Sequence, residues 1–243
     1  MNSCHIVSLG LIGYADAYAF QKRIVIARKS GAIGDVFLLC EHPPVITQGR
    51  NGKREHLLAS ERLLRQRNIE FFETSRGGDI TFHGPGQIVG YPIVNLAALR
   101  KDVVWYVRML EEVMIRSTAE FGIAAVREPG KTGIWVPQRE TSPEKLGAIG
   151  VHISRWITSH GFAYNVSTDL RYFDLIVPCG IAGRKATSLE KLLDRSVTTP
   201  EVELFLVRHF GEVFGLGMEP VTKESIIEQL DRAEEARSLA AVS

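Results

Sequence analysis

Apolar and polar positions along the chain mark out strands and helices in no regular alternation. Tyr14 to Lys29 carries alanines and long side chains without Pro or Gly, which predicts a helix ending before Gly31. Val36-Phe37-Leu38-Leu39-Cys40 is a short apolar run of strand type, halted by His42-Pro43-Pro44 and briefly resumed by Val45-Ile46-Thr47. Ser60 to Asn68 predicts a short helix with Leu63 and Leu64 inward and Arg62, Arg65 and Arg67 outward, and Ile69 to Glu73 a strand. Val103, Val107, Leu110 and Met114 fall on one face of a helix running from about Lys101 to Phe121. Its polar face, with Arg108, Glu111, Glu112 and Arg116, is expected in solvent. Farther on, Gly133 to Val136 predicts a strand, Pro137 to Glu144 a polar loop, and Leu146 to Ile153 with Trp156 to Val166 a hairpin. The stretch from 168 to 190 is irregular, and Thr199-Pro200-Glu201 opens a helix with Val202, Phe205, Leu206, His209, Phe210 and Val213 inward. The charged, helix-patterned tail after Thr222 is expected to pack loosely. With no repeat and no linker, the chain reads as one α+β domain of mixed sheets flanked by helices.

The densest local pattern is Arg76-Gly77-Gly78-Asp79-Ile80-Thr81-Phe82-His83-Gly84-Pro85-Gly86-Gln87. Ile80 and Phe82 alternate with Thr81 and His83, so a strand here separates an apolar pair from a polar one. The two glycines permit close backbone approach to a ligand. A glycine-lined pocket flanked by Arg76 and His83 fits this pattern, and so does a plain hairpin whose glycines serve its turns. It is neither a P-loop nor a dinucleotide fingerprint.

Composition narrows the choices. A chain of 243 residues, 45% hydrophobic and 23% charged, can bury a sizeable core. A net charge of +1 gives no basic field for bulk nucleic-acid binding. No run approaches the roughly 18 apolar residues of a membrane span. The N-terminal residues do not read as a signal peptide. Cys4, Cys40 and Cys179 are scattered, so reduced thiols in a cytoplasm are expected rather than disulfides or a zinc site. Cys40 reads as a core thiol. No His/Asp/Glu set has metal-ligand spacing.

Cys179 differs because Pro178 and Gly180 place it in a turn. A thiol becomes a nucleophile when a nearby cation lowers its pKa from about 8.5. Lys145, Lys185, Arg184 and the histidines are the candidate cations. Lys145 stands just before an apolar, glycine-containing strand, an unusual place for a solvated lysine. Spacing alone does not pair the two, and an inert turn cysteine with a surface lysine fits the same residues.

Four separated blocks carry a family resemblance. They are the 76–87 run continuing to Tyr91-Pro92; Glu41-His42-Pro43-Pro44-Val45-Ile46-Thr47-Gln48-Gly49-Arg50; Lys145 to Val151 leading to His160-Gly161-Phe162-Ala163-Tyr164-Asn165-Val166; and Val177-Pro178-Cys179-Gly180-Ile181. Together they resemble the octanoyltransferases, also called lipoyl(octanoyl) transferases or lipoate-protein ligase B, over roughly residues 10 to 220. The resemblance implies the fold shared with biotin and lipoate protein ligases. It implies transfer of an octanoyl group from octanoyl-acyl carrier protein to a lysine of a lipoyl domain, in a 2-oxoacid dehydrogenase complex or glycine cleavage H protein, without ATP, metal or other cofactor. Cys179 would be the acyl-bearing nucleophile and Lys145 its activator. The acyl pocket would fall on Arg76, Gly77, Gly78, Asp79, Ile80, Thr81, Phe82 and His83, on Ala148, Ile149 and Gly150, and on Gly161, Phe162 and Ala163. The chain departs from the family at His152 and Ser154, where cations are commoner. Arg50, Lys53 and Arg54 are therefore the expected docking patch for an acidic carrier protein. The rival readings are an ATP-dependent ligase of the same fold and a non-catalytic acyl-binding protein. Cys179 argues against the first and the intact set of site residues against the second.

Overall fold

The longest apolar runs become the strands buried on both faces. A computed structural model describes residues 2–138, 141–177 and 185–240. In chain order its elements are β1 (Ser3–Leu11), α1 (Tyr14–Ser30), β2 (Asp35–Glu41), β3 (Val45–Gln48), α2 (Glu61–Gln66), β4 (Glu70–Glu73), β5 (Ile80–His83), β6 (Gln87–Ile93), α3 (Leu96–Leu99), α4 (Val103–Ala119), β7 (Ile134–Val136), β8 (Glu144–Ser154), β9 (Ile157–Asn165), α5 (Leu189–Leu193), α6 (Thr199–Phe214), β10 (Gly217–Pro220) and α7 (Lys223–Ala240). Short 3₁₀ turns cover Arg54–His56 and Leu170–Leu175.

Seven strands form one sheet in the order β10-β1-β2-β6-β9-β8-β7, and three form a second in the order β4-β3-β5. β2 and β6 lie near the middle of the large sheet, where both faces are covered. On one face α4 and α6 bring Leu110, Met114, Leu206 and Phe210 against Phe37, Phe162 and Tyr164. On the other, α1 and α7 bring Phe20, Ile24, Ile226 and Leu230 against Leu38, Val89 and Tyr91. The small sheet has its own core of Ile46, Ile80, Phe82 and Ile176.

Several sequence expectations change here. Residues 45–47 do not resume the strand at 36–40; Pro43 and Pro44 mark the crossing from the large sheet to the small one. Residues 80–83 and 87–93 are no hairpin either, because β5 pairs with β3 while β6 pairs with β2 and β9. Strands β1 and β10, at one edge, carry no alternation strong enough to predict them. The expected hairpin of β8 and β9 is present, closed by Arg155 and Trp156 at φ 52° and 65°. The tail helix is docked over its first half, with Ile226 and Leu230 fully buried and Arg23 bonded to Asp231 and Glu234.

Glu111 is the largest departure from amphipathic expectation. It is fully buried, takes hydrogen bonds from Arg108 and Arg127 at 2.7 and 3.2 Å, and accepts the Gly133 N–H at 3.0 Å. Position on a helix face predicted solvent; three donors from two other segments and its own helix make burial affordable instead.

Candidate active site

A cavity of about 570 Å³ opens between the large sheet and the segment that leads into the small one. One wall is the face of β8 and β9 with the fewest atoms: Ala148 stands opposite Ala163, and Gly150 opposite Gly161. The facing wall is 76–81. Gly77 donates its N–H to the Val151 carbonyl at 2.9 Å, and a Cβ on Gly150 would lie 2.9 Å from the Gly77 carbonyl oxygen. Glycine is required there because two backbones nearly touch. On the outer side, Gly49, Arg50 and Asn51 donate their N–H groups to the carbonyls of Asp79, Arg76 and Gly78. Gly78, at φ +83°, makes the bend that this pairing needs.

Lys145 reaches the cavity because β8 carries a bulge. Ile134 pairs with Gly147 and Trp135 with Lys145, which leaves Leu146 as the extra residue. Leu146 is fully buried in the cluster under α4, while Lys145 and Ala148 line the cavity. Bulges re-aim side chains in this way beside functional sites. The Lys145 Nζ lies 4.7 Å from the centre of the Trp135 indole, and Lys131 Nζ lies 5.6 Å from it. Such ring faces attract ammonium groups.

The backbone of Lys145 is also tied to the chain that follows residue 184. Its N–H donates to the Lys185 carbonyl and its carbonyl accepts from Thr187, both at 2.9 Å. Residues preceding 178 are tied elsewhere: Val177 N–H donates to the His56 carbonyl at 2.8 Å, and His56 Nδ1 lies 2.6 Å from Asp79 Oδ2 on the cavity wall. Cys179 itself, with Pro178, Gly180 and Arg184, lies outside the described residues.

Every expected pocket residue lines the cavity except Phe82. Phe82 faces the opposite way, stacked on Tyr172 with ring centres 4.6 Å apart, because strand alternation puts it with Ile46 in the small sheet's core. His83 lines the cavity with both ring nitrogens engaged. Gln87 donates Nε2 to Asn165 Oδ1 at 2.9 Å, so its Oε1 accepts His83 Nδ1–H at 2.7 Å. Thr47 Oγ1 accepts from Arg76 Nε and Nη2 and gives its own proton to His83 Nε2 at 3.4 Å. Asn165 Nδ2 then donates to the Thr187 carbonyl at 2.9 Å. One buried chain of donors thus runs Arg76–Thr47–His83–Gln87–Asn165–Thr187 and ends beside Lys145. Burial drives the His83 pKa down to about 3, so the ring is a neutral link in that chain. Burial likewise lowers His160 to about 3.

Tyr14, Tyr91 and Trp135 line the cavity and His42 stands behind Tyr91, though the sequence reading gave them no role in it. His42-Pro43 and Tyr91-Pro92 sat in the quoted blocks; nothing marked Tyr14 or Trp135. Two cations of the expected docking patch have carboxylates beside them. Lys53 lies 3.3 Å from Glu55, and Arg54 lies 3.8 Å from Glu61 and over the Phe71 ring. Lys29 Nζ donates to Ser154 Oγ at 2.9 Å.

Comparison with known proteins places this geometry in a family. The model of the lipoyl protein ligase A/B catalytic domain matches residues 13–211. An octanoyltransferase of Acidobacterium capsulatum is 51% identical over 221 residues, covering 87% of this chain and 90% of its own. Among solved structures, an archaeal bipartite lipoate protein ligase from Thermoplasma acidophilum superposes with a TM-score of 0.74 at 16% identity, over 97% of this chain and 92% of that one. A lipoate-protein ligase A bound with ATP gives 0.73 at 17% identity, over 97% and 94%. A lysine set by a bulge over an indole, a slot floored by alanine and glycine, and relatives this similar lead to one conclusion: the chain belongs to the lipoyl protein ligase A/B catalytic family, and within it to the octanoyltransferases, which are acyltransferases.

Proposed function

We propose that the chain moves an octanoyl group from octanoyl-acyl carrier protein to a lysine of a lipoyl domain, through a thioester on Cys179. The observation that supports this most is that Lys145, which lines a slot floored by alanine and glycine, has its backbone paired with Lys185 and Thr187, a few residues along the chain from Cys179. The Lys145 ammonium favours the Cys179 thiolate. That sulfur attacks the carrier thioester carbonyl; the bond to the carrier sulfur breaks, and the departing thiolate takes a proton from Lys145. The neutral Lys145 amine then accepts a proton as the acceptor lysine attacks the Cys179 thioester, and the Cys179 thiolate leaves, restoring the starting state. Burying eight carbons at about 0.8 kcal/mol per CH₂ supplies several kcal/mol of recognition.

Incubation with octanoyl-carrier protein and intact-mass analysis tests the reading. The expected product is a hydroxylamine-labile adduct of octanoyl mass that is absent in Cys179→Ala. An adduct that forms only with ATP would replace this reading with a ligase, and no adduct under either condition would leave an acyl-binding protein.

A further inference from the structure

The slot has a built end. Counting along β8 from Lys145, the floor is Ala148 with Ala163, then Gly150 with Gly161, each row about 6.7 Å beyond the last. Across the sheet, β6 places Val89 opposite Ala163. Tyr91 follows on the same face, beside the glycine row, and lines the cavity together with Tyr14. The two rings are buried, at 3% and 2% exposure. Neither hydroxyl is spent on the cavity. Tyr91 donates to His42 Nε2 at 2.7 Å, and the opposite nitrogen of that ring donates to the Ile12 carbonyl at 2.7 Å. Tyr14 donates to Thr74 Oγ1 at 3.3 Å and stacks on His83 with the planes 11° apart. His42 packs edge-on to Tyr14, with ring centres 5.3 Å apart. Burial holds both phenols protonated and His42 neutral. These rings are uncharged, with their polar atoms bonded behind them and the rings locked by one another. Arg76 passes the same glycine row, its Cδ 3.2 Å from a Cβ on Gly150, with its guanidinium bonded to the Thr47 and Gly77 carbonyls.

We infer that Tyr91, backed by His42 and Tyr14, is the stop that sets acyl chain length, with Ala163 as the width gauge one row nearer the reacting end. This rests on the reading above only in that the acyl carbonyl lies at the Lys145 end. A locked ring cannot yield to a longer chain as a flexible Met or Leu wall would, so chain length is read sterically.

The test measures transfer of hexanoyl, octanoyl, decanoyl and dodecanoyl groups from carrier protein to a lipoyl domain, scoring the mass of the modified domain. Tyr91→Ala is expected to raise the decanoyl-to-octanoyl ratio about tenfold, the order expected when two more CH₂ groups find a place. Ala163→Val is expected to move the ratio toward hexanoyl by a similar factor. Tyr91→Phe, which keeps the ring, should keep the wild-type order of chain lengths. If Tyr91→Ala does not fold, judged by its thermal transition, Ala163→Val and Tyr91→Phe still decide. An unchanged profile in Ala163→Val, or a shift in Tyr91→Phe as large as that in Tyr91→Ala, overturns the assignment. The product mass reports chain length whether or not Cys179 carries the group, so loss of the thioester adduct would count against the mechanism and leave the ruler to its own result.

Discussion

At the scale of single residues, burial keeps three histidines in and behind the cavity neutral. His42, His83 and His160 all have pKa values lowered by burial, to about 3 for the last two. In the unfolded chain each would titrate near 6.5. The unfolded state thus binds more protons below that pH, so their contribution to stability is present above about 6.5 and is lost as pH falls from 6.5 toward 3. His83 and His160 can each remove up to about 1.4 kcal/mol per pH unit in that window, and His42 acts in the same direction. Urea unfolding at pH 7 and pH 5 should show a clear fall in stability, larger than in a His160→Gln variant. Equal stability at the two pH values would mean these rings are not buried neutral. Lys145 makes a second prediction at this scale. Lys145→Arg retains the charge but not a proton acceptor of ordinary amine basicity, so acyl-enzyme formation should survive better than onward transfer to the lipoyl domain. Single-turnover rates that fall equally in both steps would remove the base role.

Among the elements, the extra residue at Leu146 and the buried carboxylate of Glu111 shape the mouth of the slot. Glu111 holds Gly133 and, through it, the strand that carries Trp135 under Lys145. Glu111→Ala leaves Arg108, Arg127 and the Gly133 N–H without their acceptor, at a cost of about 3–5 kcal/mol in unfolding free energy. Glu111→Gln, which keeps an acceptor oxygen, should lose less. A loss below about 1 kcal/mol for the alanine variant would show that the carboxylate merely fills space. Periodicity revealed the helix at 103–119 but not this inward acid, because a pattern of apolar positions carries no information on which charges will meet partners from the loop at 126–133. The bulge was hidden for a related reason. Lys145-Leu146-Gly147 reads as an ordinary strand until β7 is laid beside it. The tail helix, expected to be loose, is fixed by Ile226 and Leu230, so Leu230→Ala should cost about 2–5 kcal/mol, checked by denaturant midpoint.

For the molecule as a whole, the slot exists because the chain leaves the large sheet at Pro43-Pro44, builds a small one, and returns at β6. Gly77 and Gly78 were legible in sequence as places of close approach, and β8 and β9 as a hairpin. Which strands the glycines bring together was not legible, since pairing of β3 with β5 and of β6 with β9 spans dozens of residues. Phe82 shows the limit well: the motif included it, and strand alternation turned it away from the cavity. Thiol chemistry now offers the sharpest view of the assembled site. Cys4 and Cys40 are buried, with thiols pushed well above the ordinary range, so they are not expected to react in the folded chain. The decisive measurement is the rate of Cys179 alkylation by iodoacetamide as a function of pH, located by peptide mass, in wild type and in Lys145→Gln. A midpoint below the ordinary cysteine value of about 8.5 is expected in wild type, with a rise of about one unit or more in the variant. The same midpoint in both proteins would contradict it.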